Sequence, residues 1–431
     1  MLRRRFYNLL LCLAMIASIA MITPSAIAMI TPSAMTTPSY AQQLNVGVSV
    51  STSAQREAFY TLARDFETLH PNSKVQFTAL SSEDYKLAFP TMLAKDKRFD
   101  VLYWHAGQRL FNFVEKELIQ PIDDLWLENE LDNAFDGNVR QNLSYNGRYY
   151  AVPISYYQIG FYYSKEIFER LSLSEPKTWQ EFIALCEIIK ADGVSPIFIG
   201  TKSNWPATAW FDYLNLRLNG LDFHHALTQG KVPFNDDRVR DTLNVLQALK
   251  TRKYFIAEHQ DFHWRESLPL LSRGLVGMSL IGNYVIQDIR KGMLPKIGFF
   301  PFPQINEGVG KYEEAPIDVL VIPKQAKNLS LAKKFLAFAA SHEVQTKLNK
   351  KLGVISPNKS SQQQTSPLTK EAYLELSTAE GFSQFFDRDA NEAFAKEVMP
   401  IIDEFMVHGD VTIAVTKLEL ARSQHFPTTT L

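Results

Sequence analysis

Between Asn45 and Trp104 the spacing of apolar residues switches from strand to helix and back twice. This alternation constrains the fold more than any other feature. Asn45 to Val50 reads as a buried strand. Ser53 can cap a helix whose inward face is Phe59, Leu62, Ala63, Phe66 and Leu69, stopped by Pro71. Lys74 to Leu80 alternates, turning Val75, Phe77 and Ala79 inward. A helix from about Ser82, interrupted or kinked by Pro90, leads to a third strand, Asp100-Val-Leu-Tyr-Trp104. The βαβαβ order predicts an α/β fold that opens as a doubly wound sheet.

A second αβ unit begins near Pro153. Thr178 and Glu181 form a capping box, and Trp179, Phe182, Ile183, Cys186 and Ile189 share one helical face. Gly193 ends that helix and Ser195 to Gly200 is the next strand. Leu275 to Ile281 is a strand running into Gly282-Asn283, a helix start, and Ile297 to Phe302 is another extended piece. Ala315 to Pro323 is a strand followed by a helix bearing Leu331, Phe335, Leu336 and Ala339 at its inner positions. Asn358 to Pro367 reads as a linker, helices fill the chain to about Arg422, and the end from Phe426 frays.

The N-terminal residues have the form of an export signal. Arg3, Arg4 and Arg5 precede an apolar run, Leu9 to Ile22, too short for a stable membrane span. The duplicated Met-Ile-Thr-Pro-Ser-Ala at 21–26 and 29–34 is low-complexity sequence within that segment. Cleavage is expected after Ala41, with Ala28 as second choice, and Cys12 lacks the preceding small residue of a lipoprotein site. Removing residues 1–41 takes away three arginines and no acid, so the formal charge passes from −1 to −4. Such a surface does not suit nucleic acid. With Cys186 then the sole cysteine, no internal disulfide can form.

Motifs for catalysis are sparse. There is no His-Glu-x-x-His, no thiolate metal cage, no phosphate-binding glycine loop and no cofactor fingerprint. Gly277-Met-Ser-Leu-Ile-Gly282 has one residue too many for a nucleophile elbow. Paired carboxylates for glycoside hydrolysis leave no fixed spacing and stay open.

Several blocks in order resemble the bacterial extracellular solute-binding proteins of the maltose-binding type. They are Phe99 to Trp104, Tyr149 to Tyr157 with Phe161 to Phe168, Pro176-Lys-Thr-Trp-Gln-Glu-Phe182, Ser267 to Gly274, and Gly277 to Tyr284. The resemblance implies a two-lobe periplasmic binding protein fold, each lobe a mixed sheet flanked by helices, joined by a hinge. On that reading 1–41 is the signal, 42–152 and 317–357 form lobe 1, 153–316 forms lobe 2, and 358–431 packs mainly on lobe 2. It further implies a soluble periplasmic monomer that binds a sugar, closes on it, and docks on inner-membrane ABC permease subunits. No cofactor, metal or catalysis is implied. Rival readings are a receptor read by a sensor kinase, a periplasmic glycosidase, and a polyol or phosphorylated-polyol binder. For the last, Arg109 and Arg217 are too few to make an arginine cluster.

In open αβ sheets ligands sit beyond the carboxyl ends of strands. That rule selects Thr52, Ser53, Trp104, His105, Lys202, Asn204, Trp205 and Asn283. Tyr85 joins them from the helix after the second strand, with Asp212 and Trp264, while Tyr156, Tyr157 and Asp318 flank the inferred hinge crossings. An indole beside planar polar groups can stack on a sugar's C–H face while its hydroxyls are met at the edge. Bland alternatives stand beside these. Trp104 and Trp210 suit a core as well as a pocket, and Asn283 suits a helix cap better than a contact. Trp205 lies in a loop without apolar periodicity, which favours exposure. Tyr156 and Tyr157 point to opposite faces of a strand, so one packs. Asp318 either accepts sugar hydroxyls or caps an element, and His224-His225 read as surface.

Overall fold

The computed structural model describes residues 42–288, 290–361 and 367–427, so the expected export signal and its cleavage sites lie outside the described residues. Two sheets organise the chain. The first has the strand order Ser73–Leu80, Gln42–Ser49, Val101–His105, Ile317–Val321, Val152–Tyr156. Its first three strands are parallel, as helical crossovers require. Ile317–Val321 enters from far along the chain and runs antiparallel to both neighbours, opposing Val319 to Trp104 and Asp318 to His105. Pro153 is tolerated because Val152–Tyr156 is an edge strand, where a missing N–H leaves no ladder bond unmade.

The second sheet has the order Ile297–Phe300, Ile159–Ser164, Val276–Gly282, Ser195–Phe198, with only the last junction parallel. Its core is aromatic: Phe161 stacks on Phe300 at 5.1 Å, and Tyr213 on Phe302 at 4.8 Å. The helices Glu392–His408 and Val411–His425 bury Phe394, Val398, Ile402, Phe405, Val415 and Leu418 in this same core with Trp210 and Phe211.

Three chain passages join the sheets. The first is Tyr157-Gln158. The second and third run side by side, because Tyr312–Glu314 pairs in parallel with Gly381–Ser383. The boundary expected at Pro153 thus falls inside a strand of the first sheet: the Tyr156 N–H donates to the Ile355 carbonyl, and the chain leaves only after it.

Other local expectations shift. The helix Ser82–Ala94 runs through Pro90, since burial of Tyr85, Phe89, Met92 and Leu93 outweighs one lost backbone bond. Leu69 is 64% exposed in the last turn of Ser53–Leu69. Thr52, one residue before the expected cap, takes the N-cap, its hydroxyl accepting from the Gln55 N–H at 3.1 Å. Pro301 and Pro303 limit the extended piece to Ile297–Phe300. His224 is buried, its Nδ1 3.0 Å from Asn215 Nδ2.

Candidate functional site

A cleft of about 380 Å³ opens where the carboxyl ends of both sheets meet the three passages. One wall comes from the first lobe and is made of short hydroxyls and amides. Ser49 ends a strand. Ser51, Thr52 and Gln55 form the start of the first helix, where Gln55 Oε1 accepts from the N–H groups of Ser51 and Thr52 at 2.7 and 3.2 Å. Ser81 caps the second helix, and Lys86 and Glu83 pair at 3.1 Å at the rim. His105, at the end of the third strand, is buried with Nδ1 unpartnered by protein. Burial, with the Arg388, Arg109 and Lys86 charges, holds its pKa well below the usual histidine range. At neutral pH it presents a neutral imidazole, one ring nitrogen donating and the other accepting.

The opposite wall is aromatic. Trp205 opens the helix Trp205–Asn219, where Pro206 suits the first turn. Trp264 lies 5.8 Å from it at 67°, and Tyr284 lies 5.5 Å from Trp264 at 87°. Gly200 permits this meeting. A Cβ there would stand 2.7 Å from the His263 carbonyl carbon and 2.8 Å from the Trp264 nitrogen, closer than backbone atoms allow. The missing side chain lets the His263-Trp264 segment rest against the end of the Ser195–Phe198 strand.

The floor is the hinge itself. Tyr157 from the first passage donates its O–H to Asp318, which heads the strand after the second passage. Arg388, from the third, donates to the same carboxylate at 3.3 Å. Burial raises the Tyr157 pKa, and the Asp318 charge adds to this, so its proton stays in place. Asp387 pairs with Arg109, reaching from the helix Gln108–Val114. Burial alone would raise the Asp387 pKa, but Arg109, Lys86 and Arg388 outweigh it and keep the group ionised below the usual carboxylate range.

Five of the residues selected from sequence, Thr52, His105, Tyr157, Trp205 and Trp264, line the cleft. The rest take other places. Trp104 stacks on Phe89 at 3.6 Å and donates its indole N–H to the Arg109 carbonyl, as core. Tyr85 is buried with its hydroxyl 2.8 Å from the Tyr103 carbonyl and 3.1 Å from that of Gly47, tying the first and third strands. Tyr156 packs toward Phe382 as the inward member of its pair. Asp212 is buried in the second lobe, accepting from the Phe386 N–H at 3.0 Å. Asn283 accepts from the Gln158 N–H at 3.3 Å, a hinge contact rather than a helix cap. Asp318 lies behind Tyr157 and Arg388 instead of facing the space. Ser53 and Lys202 are exposed outside the lining, and Asn204 precedes the Trp205 helix without a side-chain cap bond.

Tyr284 and the third passage, Phe385-Phe-Asp-Arg-Asp389, line the cleft without being among the residues selected from sequence. That passage carries one signal in sequence, a dense run of charge next to aromatic residues in a stretch expected to be helical.

The comparisons bear on the same architecture. The sequence profile of the bacterial extracellular solute-binding proteins matches residues 51–346. The chain belongs to this family. Like this solute-binding protein, an ABC transporter extracellular-binding protein of Pyrococcus horikoshii spans both lobes: it is 28% identical over 390 residues, 88% of this chain and 86% of its own. A multiple sugar-binding protein of Streptococcus mutans is 23% identical, covering 64% of this chain and 66% of its own. Among solved structures, the bacterial solute receptor AcbH, described with an exclusive preference for b-D-galactopyranose, superposes with a TM-score of 0.83. It has 27% identity and covers 89% of this chain and 98% of that one.

Proposed function

We propose that this solute-binding protein captures an uncharged sugar in the interlobe cleft, closes on it, and delivers it to an ABC permease without breaking a bond. The observation that carries this reading is the opposition of an aromatic wall, Trp205, Trp264 and Tyr284, to a wall of serine, threonine and amide groups. Aromatic faces take the C–H surface of a sugar ring, and short polar side chains take its hydroxyls.

Charge supports an uncharged ligand over a phosphorylated polyol. Lys86 is matched by Glu83, Arg109 by Asp387 and Arg388 by Asp318, while the Arg265 guanidinium lies 4.8 Å from the centre of the Trp264 ring. An anion pairing with Lys86, Arg109 or Arg388 would have to displace one of these carboxylates. A glycosidase needs one carboxyl held protonated beside another, whereas Asp387 is held ionised by its cations.

Closure follows from differential contact: only a closed form touches the sugar from both walls, so binding shifts the open–closed equilibrium. The protein acts as an exported, periplasmic monomer; the arginine-led N-terminal segment supports the export. Among the described residues no helix is long and apolar enough to cross a membrane.

Titration calorimetry with a panel of neutral sugars tests the reading. Micromolar affinity, about −8 kcal/mol, is expected for at least one of them. Loss of that heat in Trp205→Ala, with folding intact, places the sugar in this cleft; absence of heat with every sugar overturns the proposal.

A further inference from the structure

The aromatic rings of the cleft are arranged as a corner, not as a row of platforms. Trp205 stands at 67° to Trp264 and 68° to Tyr284, and Trp264 stands at 87° to Tyr284. Tyr284 in turn meets Tyr157 edge-on at 86° and 5.3 Å, while Phe385 tilts 49° against Trp205 at 5.4 Å. None of these pairs is parallel, and neighbouring centroids are at most 6.4 Å apart. A linear oligosaccharide is read by faces displaced along the chain, one per sugar ring. Mutually perpendicular rings this close offer a face and two edges to a single ring.

The surroundings leave no room for a second platform. Tyr157 and Phe385 belong to the hinge passages, so the corner lies at the inner end of the cleft. Behind it the Arg109–Asp387 and Arg388–Asp318 pairs close the floor, so a polymer cannot run through. Across the cleft the lining consists of hydroxyls, Gln55, His105 and the charged Glu83, Lys86 and Arg109; its one aromatic apart from His105, Tyr103, is only 9% exposed. The 380 Å³ volume is near the lower end of the roughly 300–1,000 Å³ typical of small-molecule sites.

We propose that the cleft recognises one pyranose ring seated in the corner of Trp205, Trp264 and Tyr284, so that a neutral monosaccharide is a complete ligand. This rests on the sugar-capture reading above and narrows it. Any further sugar unit projects through the cleft mouth and adds no stacking. Both tryptophans act on the same ring, one through its face and the other through its edge.

The experiment is titration calorimetry of the mature protein against neutral hexoses and their matching di- and trisaccharides. It is repeated with Trp205→Leu and Trp264→Leu, which keep apolar bulk, after melting curves show both variants folded. One monosaccharide is expected to bind, with its oligomers no more than about threefold tighter, and each variant to weaken that monosaccharide by about tenfold or more. Affinity that rises tenfold with each added unit would overturn the single-ring assignment while leaving sugar capture intact. So would a variant that weakens the trisaccharide but not the monosaccharide. Silence toward all mono-, di- and trisaccharides overturns the capture reading itself, a result distinct from the other two.

Discussion

Arg388 donates to the Asp318 carboxylate at 3.3 Å, fastening the third interlobe passage to the strand that follows the second. Tyr157, from the first passage, donates to the same carboxylate. One buried group therefore gathers all three passages while two of its partners line the cleft. Removing it leaves Arg388 buried without its counter-charge, a change that costs about 3–5 kcal/mol in comparable pairs. Asp318→Ala is expected to lower the denaturant midpoint accordingly. Asp318→Asn, which still accepts from Tyr157, should fold but bind the sugar about tenfold more weakly. Wild-type affinity in the Asn variant would show that Arg388 and Tyr157 need no such anchor.

Gly200 makes a second, local prediction. A methyl group there collides with the backbone of His263 and Trp264. Gly200→Ala is expected to shift Trp264 off Trp205 and cost about 1–3 kcal/mol, the usual range for overpacking. Sugar affinity should fall with it, and tryptophan fluorescence should report the moved ring. Unchanged emission and affinity would mean that the loop relaxes without disturbing the site.

Arg217, in the second lobe, and Glu313, on the second passage, are a third test. The guanidinium is 5% exposed and the carboxylate fully buried; Arg217 also donates to the Phe302 and Tyr312 carbonyls, and the Tyr213 hydroxyl lies 2.8 Å from Glu313. Arg217→Met strands a buried carboxylate and is expected to destabilise by about 3–5 kcal/mol in urea unfolding. The paired change Arg217→Met with Glu313→Leu should recover part of that loss, because no lone charge remains.

Asp212 and Glu314 set a pH dependence. Burial raises the Asp212 pKa, opposed by the Phe386 N–H and reinforced by Asp389; burial likewise raises that of Glu314, with Asp212, Asp389 and Glu313 adding to it. A carboxyl raised in the folded state binds its proton more tightly there than in the unfolded chain. Its contribution is complete below the unfolded value of about 4 and is lost as pH climbs through the folded one. Glu314→Gln is therefore expected to melt higher than wild type at about pH 8 and to lose that advantage toward about pH 4. A constant difference across this range would contradict a raised carboxyl pKa at Glu314.

The first sheet was legible up to Trp104 because its strands and helices alternate locally, with each apolar period confined to one element. Trp205 and Thr52 were legible for the same reason: each follows directly on a strand end or helix start. Trp104 suits pocket and core alike in sequence because an aromatic at a strand's carboxyl end has the same signature whether it faces a ligand or, as here, Phe89. Asp318 sits at the hinge behind Tyr157 and Arg388, an orientation local sequence does not show because those partners lie 161 and 70 residues away. Tyr284 carries no local mark and Phe385 only the run of charge that follows it; their place depends on how distant passages come together.

The insertion of Ile317–Val321 between Val101–His105 and Val152–Tyr156 sets a timetable for synthesis. Until the ribosome has passed residue 321, the first sheet lacks its fourth strand, and the two strands flanking that gap lack the partner they share. The second core waits longer still, for Phe394 to Leu418. Contacts so remote along the chain are slow to form, so the nascent polypeptide stays pliable for most of its length. A chain threaded through a translocon before folding gains time from that delay.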